Sequence, residues 1–128
     1  MKRILSAVLC AASALMLPVG SAVADTEGNW KLGRIYYRAS CTGCHNAELG
    51  KSVSPATMTI AEWTAWIDTD ETGAHFNDYV SQSYRAEIAP ENKVAEKFSS
   101  LTDGEMWAHT RAFVLYGAKD SANPATCD

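Results

Sequence analysis

A small all-α domain is what this sequence predicts. Two Thr-x-x-Glu capping boxes each open an apolar segment, at Thr59–Glu62 and Thr102–Glu105. Apolar and aromatic residues recur at helical spacing, as in Ile60, Trp63 and Ile67. No strand-like alternation, internal repeat or low-complexity tract stands beside them. With 128 residues in all, there is room for one folding unit.

The first residues, Met1-Lys2-Arg3, precede an apolar run from Ile4 to Leu17 and the small-residue stretch Ser21-Ala22-Val23-Ala24. This is the layout of a secretory signal peptide, with cleavage expected after Ala24 and a mature domain over residues 25–128. A membrane anchor would need roughly 20 consecutive apolar residues, and this run is shorter and broken by Pro18. Cys10 lies inside the apolar core and is expected to leave with it. Export implies a periplasmic location, or one further out. Losing residues 1–24 removes Lys2 and Arg3 and no acidic residue, so the formal charge falls from −4 to −6. An acidic mature chain argues against nucleic acid as a partner.

Along the mature chain, Gly33, Tyr37 and Cys41 fall four residues apart on one face of a predicted first helix. Glycine inside a helix costs ~1 kcal/mol relative to alanine, so its presence points to close approach of another element. Residues 46–58 read as a loop. Thr59 opens a short middle helix, and Asp68 to Ala74 is polar and expected to turn. Asn77 to Phe98 reads as helical in two parts, divided near Ala89-Pro90 because proline disfavours continuation of the preceding helix. The last helix starts at the Thr102 box, with Leu101 and Met106 as a hydrophobic staple, and stops at Gly117.

The mature chain holds three cysteines, Cys41, Cys44 and Cys127, an odd number that does not suit a simple disulfide framework. Cys41-Thr42-Gly43-Cys44-His45 is a Cys-x-x-Cys-His element, the signature of c-type haem attachment. Two thiols at this spacing can each form a thioether to a haem vinyl group, and the next residue supplies the proximal imidazole to the iron. A thioredoxin-like redox pair would be expected in a βαβ unit, which is missing here. A zinc site would need a second ligand pair at short spacing, and Cys127 stands alone. A lone terminal thiol in an oxidising compartment suits a disulfide-linked dimer through Cys127.

Around this element the chain resembles the class I, monohaem c-type cytochrome family. The resemblance rests on Gly33-x-x-x-Tyr37-x-x-x-Cys41 with the haem motif, and on the segment Leu101 to Gly117. It covers both ends of the mature domain well and the middle poorly. It implies a small cytochrome c-like fold, with several short helices wrapped around one covalently attached haem. It also implies that the N- and C-terminal helices cross at Gly33, with Phe113 packed there. In the family a proline carbonyl beyond the haem motif accepts a hydrogen bond from the proximal histidine, and Pro55 is its counterpart here, with Ser54 in place of the usual glycine. Haem would then complete a core that a chain of this size builds poorly alone. Tyr36, Tyr37, Ile60, Trp63, Tyr79 and Val94 are expected around the ring.

The family usually takes its distal iron ligand from a methionine between the middle and last helices, and this chain has none from Thr59 to Glu105. His75, in the Gly73-Ala74-His75-Phe76 segment expected to be a loop, ranks first as distal ligand, with Met58 as the alternative and an open site as the third option. Met106 is expected to serve the staple and His109 the helix surface. The implied function is carriage of single electrons between redox partner proteins, the partner having a basic docking face. No catalytic constellation is recognisable, so no enzyme is expected. A haem enzyme or gas-binding sensor with an open distal site is the alternative, as is a haem-bearing subunit of a larger redox complex.

Overall fold

The structure, a computed structural model, describes residues 27–42, 45 and 53–126. The expected leader over residues 1–24, Cys10, Cys44 and Cys127 lie outside the described residues. Those described form an all-helical chain: α1 (Trp30–Ser40), a short 3₁₀ turn (Pro55–Thr57), α2 (Ile60–Ile67), α3 (Asp70–Val80), α4 (Gln82–Ile88), α5 (Lys93–Lys97) and α6 (Asp103–Tyr116). No helix among them is long and apolar enough to cross a membrane.

Local chemistry sets most helix ends. The Asn29 side chain accepts the amides of Lys31 and Leu32 at 3.0 and 3.4 Å and so starts α1. Both capping boxes form: Thr59 and Thr102 each accept an amide of their helix, while Glu62 and Glu105 reach back to the cap amides at 2.8 Å. Those backbone bonds, seconded by the threonine hydroxyls, hold both carboxyl groups below the usual carboxylate range. Met106 is fully buried with half-buried Leu101 against the same core, so the staple is made.

The first and last described helices meet where α1 packs on α6, the largest helix contact among the described residues. Gly33 makes it possible. A Cβ there would stand 1.9 Å from the His109 carbonyl oxygen and 3.0 Å from the Phe113 Cβ. Gly28, just before the helix, approaches the Ala108 carbonyl equally closely. Aromatic pairs then lock the crossing: Trp30 stacks on Tyr116 at 4.0 Å, and Tyr37 meets Phe113 at 5.4 Å. His109 accepts the Asn29 amide through Nδ1 at 3.0 Å, which tethers the start of α1 to α6.

The middle of the chain departs from expectation in three places. Residues 70–74 are helical rather than a turn, because α3 starts at Asp70. Gly73 lets the new helix come within contact of the Ile67 carbonyl, where a Cβ would be 2.3 Å from the oxygen, and Phe76 and Val80 bury the far end. The helical stretch also breaks at Ser81, which terminates α3 and caps α4 by accepting the Tyr84 amide. The break near Ala89-Pro90 is present, and Asn92 caps α5 beyond it. Finally, Ile60 is 40% exposed rather than in the core. It is the first residue of α2, at an open corner where its amide donates to Asp120. Tyr36, Tyr37 and Trp63 are buried as expected, while Tyr79 and Val94 are half-buried.

Arg85 was not foreseen. Fully buried on α4, it donates to the carbonyls of Val80 and Leu101 and lies 3.8 Å from Asp103. The end of α3 is thereby fastened to the start of α6, with each cationic N–H that reaches a carbonyl offsetting part of the burial of charge.

Gly33→Ala is expected to lower stability by about 2–3 kcal/mol, since a backbone carbonyl cannot yield as a side chain does. Chemical denaturation would measure it, and a wild-type midpoint in that variant would mean that the helices do not cross at this distance.

Candidate functional site

Two backbone bonds follow the C-terminal end of α1. The Cys41 amide donates to the Tyr37 carbonyl at 2.9 Å, and the His45 amide to the Cys41 carbonyl at 3.0 Å. These i, i+4 bonds carry Cys41 and His45 onto the wall of one cavity of about 260 Å³. Around it stand Tyr37, Trp63, Trp66, Phe76 and Tyr79, an aromatic lining, together with Val53, Thr57 and Ser40. A larger open groove of about 760 Å³ runs along Ile67, Asp68, Asn77, Asp103 and Trp107, but holds none of the cysteine, histidine or methionine candidates. The smaller cavity is therefore the candidate site.

Both distal candidates reach that cavity as well, Met58 from the residue after the 3₁₀ turn and His75 from α3. His75 is on a helix rather than in a loop. Four residues on, Tyr79 lies against its imidazole with ring centres 4.7 Å apart, and Tyr79 in turn meets Tyr84 at 4.9 Å. Met58 is half-buried against the core, its carbonyl accepting the Lys119 amide at 2.9 Å. Met106 and His109 are elsewhere, the first within the core and the second in the α1–α6 contact.

Pro55 is buried on the 3₁₀ turn, and its carbonyl accepts the indole N–H of Trp63 at 2.7 Å. The resemblance assigns the same carbonyl to His45, and its oxygen has two lone pairs to offer. Trp63, one turn into α2, is buried beside the turn. The Tyr37 hydroxyl similarly donates to the Val53 carbonyl and ties α1 to the segment leading into that turn.

Two buried hydroxyls lie on the inner face of α1. Tyr36, fully buried, donates to the Tyr79 carbonyl at 2.5 Å, and burial pushes its phenol up to about 12. Ser40, 6% exposed, lines the cavity, and its hydroxyl beside Tyr36 works against that upward shift. Ser40 is a site residue that sequence reasoning missed. Its spacing from Gly33, Tyr36 and Tyr37 puts it on the buried face of α1 and would have found it.

The donor set and the walls fit a haem. A thiol and an imidazole come from one turn of chain, flat aromatic walls suit a flat apolar ring, and two further candidate iron ligands share the space. Among the described residues, no three His, Cys, Asp or Glu side chains converge as a metal cage. Compared with known proteins, the chain matches no family model, no curated protein and no solved structure.

Tyr36 gives the fold a pH signature. Its folded-state value lies above the ordinary one of about 10, so its contribution is fully present below pH ~10 and is lost as pH rises towards 12. Across that window stability is expected to fall by about 2 kcal/mol more in the wild type than in Tyr36→Phe, which has no proton to lose. Denaturant midpoints measured against pH would check this, and parallel alkaline slopes in the two proteins would refute it.

Proposed function

We propose that this chain is an exported c-type cytochrome that carries single electrons between redox partner proteins through one covalently bound haem. The observation that supports the reading best is the meeting of Cys41 and His45 of the Cys-x-x-Cys-His element in a cavity with aromatic walls. In this reading the all-helical chain is a cytochrome c-like fold, with α1 crossing α6 at Gly33 as the resemblance implies. Bound haem would supply a one-electron Fe(III)/Fe(II) couple.

The chain's own residues have separable tasks. Cys41 and Cys44 hold the ring covalently, so that it is not lost between encounters. His45 binds the iron from the turn that follows α1. Trp63, Trp66, Phe76 and Tyr79 exclude water and lower the local dielectric, which keeps reorganisation around the iron small. His75 is the proposed distal ligand because it shares the cavity from a rigid helix, where Tyr79 against its ring restricts the imidazole. Met58 is the alternative from the same cavity. A second histidine would make the couple lower in potential than a methionine would.

Expressed in a host that matures c-type cytochromes, the secreted product is expected to carry the mass of one haem beyond that of the mature polypeptide. Finding the bare polypeptide mass would end this reading. Cys41→Ala combined with Cys44→Ala is expected to leave a largely unfolded chain, and circular dichroism with native helix content would contradict that. For the distal position, carbon monoxide is expected to bind the reduced wild type slowly and His75→Ala rapidly. A methionine–iron charge-transfer band in the oxidised protein, lost in Met58→Ala and kept in His75→Ala, would assign the position to Met58 instead.

A further inference from the structure

The net charge of the chain conceals an uneven distribution. From Gly28 to Ala47 the sequence has three cations, Lys31, Arg34 and Arg38, and no acidic residue. From Thr59 to Glu91 it has seven acidic residues and one cation, Arg85. Of these, Glu62, Asp68, Asp78, Glu87 and Glu91 are exposed, whereas Arg85 is fully buried.

On α1 the three cations share one side. Gly33, Tyr36, Tyr37 and Ser40 form the buried face, and Lys31, Arg34, Ile35 and Arg38 are all exposed. None of these cations takes part in an ion pair among the described residues; the pairs there are Arg85–Asp103, Lys93–Glu96 and Arg111–Asp68. Ile35, 43% exposed, lies among them and is one of two large hydrophobic side chains left exposed among the described residues. An apolar centre rimmed by like charge is the anatomy of a docking patch. Cys41 follows directly after the helix, so whatever covers this face lies beside the candidate haem attachment.

We propose that the outer face of α1 docks an acidic face of a protein partner. The occupant follows from charge complementarity: three exposed cations in two turns of helix attract a negative surface. A single exposed isoleucine is too little apolar surface for lying in a lipid interface, which favours a protein over a membrane. The acidic net charge alone pointed to a basic partner face, and the local distribution reverses that sign. The proposal deepens the electron-carrier reading and rests on it only in making the partner a redox protein.

The test is a titration of the purified full-length product with a short oligoglutamate peptide, followed by backbone amide NMR. Shifts are expected to concentrate in residues 31–42 and to weaken with added salt. Arg34→Glu combined with Arg38→Glu is expected to weaken the peptide about tenfold, while Lys93→Glu combined with Lys97→Glu on α5 changes it less than about twofold. Shifts centred elsewhere, or equal losses in the two double variants, would overturn the proposal. So would tighter binding to phosphatidylserine-containing vesicles than to the peptide, which would reassign the face to a membrane. In the haem-loaded protein, Arg34→Glu with Arg38→Glu is expected to slow oxidation by hexacyanoferrate(III) and not by tris(phenanthroline)cobalt(III). Should the product carry no haem, the peptide titration still reads the α1 face, so failure of the docking proposal and failure of the carrier reading are told apart.

Discussion

The fold depends on the distance between two backbones. Where α1 crosses α6, the Gly33 Cα faces the His109 carbonyl with no room for a methyl group, and everything placed by α1 inherits that constraint. Trp30 can stack on Tyr116, and Tyr37 can reach Phe113, because the helices are already that close. Cys41, at the end of α1, is thereby fixed relative to the core. The glycine costs helix propensity locally and is repaid by contact area along the whole crossing.

From that anchor the site is assembled in a few steps. The Cys41 carbonyl captures the His45 amide, so the imidazole remains near the thiol instead of swinging away with the following chain. Opposite it, the 3₁₀ turn at Pro55–Thr57 is held by Trp63, whose indole bonds the Pro55 carbonyl. The α2–α3 corner, tight at Gly73, then brings Trp66, Phe76 and His75 to the same cavity. Arg85 contributes from outside the site by clamping the end of α3 to the loop that starts α6. Three backbone-to-side-chain bonds and two glycine contacts thus position an aromatic chamber that no single helix could enclose.

Charge distribution adds a second level of organisation. Folding leaves Glu62, Asp68, Asp78 and Glu87 exposed in the middle of the chain, and Lys31, Arg34 and Arg38 exposed on α1. A chain with a negative total can therefore present a positive face. Net charge speaks to solubility and long-range encounter, whereas the sign at a docking face depends on which residues the helix turns outward.

What the sequence determined by itself is whatever depends on neighbours within one helical turn. Thr59 with Glu62 and Thr102 with Glu105 announce helix starts because their hydrogen bonds close locally. The Cys-x-x-Cys-His spacing announces a candidate haem site in the same way, and Gly33 a close crossing. Tertiary structure decided the rest. Residues 70–74 are helical because Phe76 and Val80 are buried beyond them; Ile60 is exposed because its end of α2 lies at an open corner; and the Pro55 carbonyl accepts from Trp63 because that ring packs beside it. Arg85 in the interior and Ser40 on the cavity wall likewise depend on contacts between residues far apart in the chain. Such outcomes follow from burial, which is a property of the packed molecule, and propensities summed along a segment do not contain it.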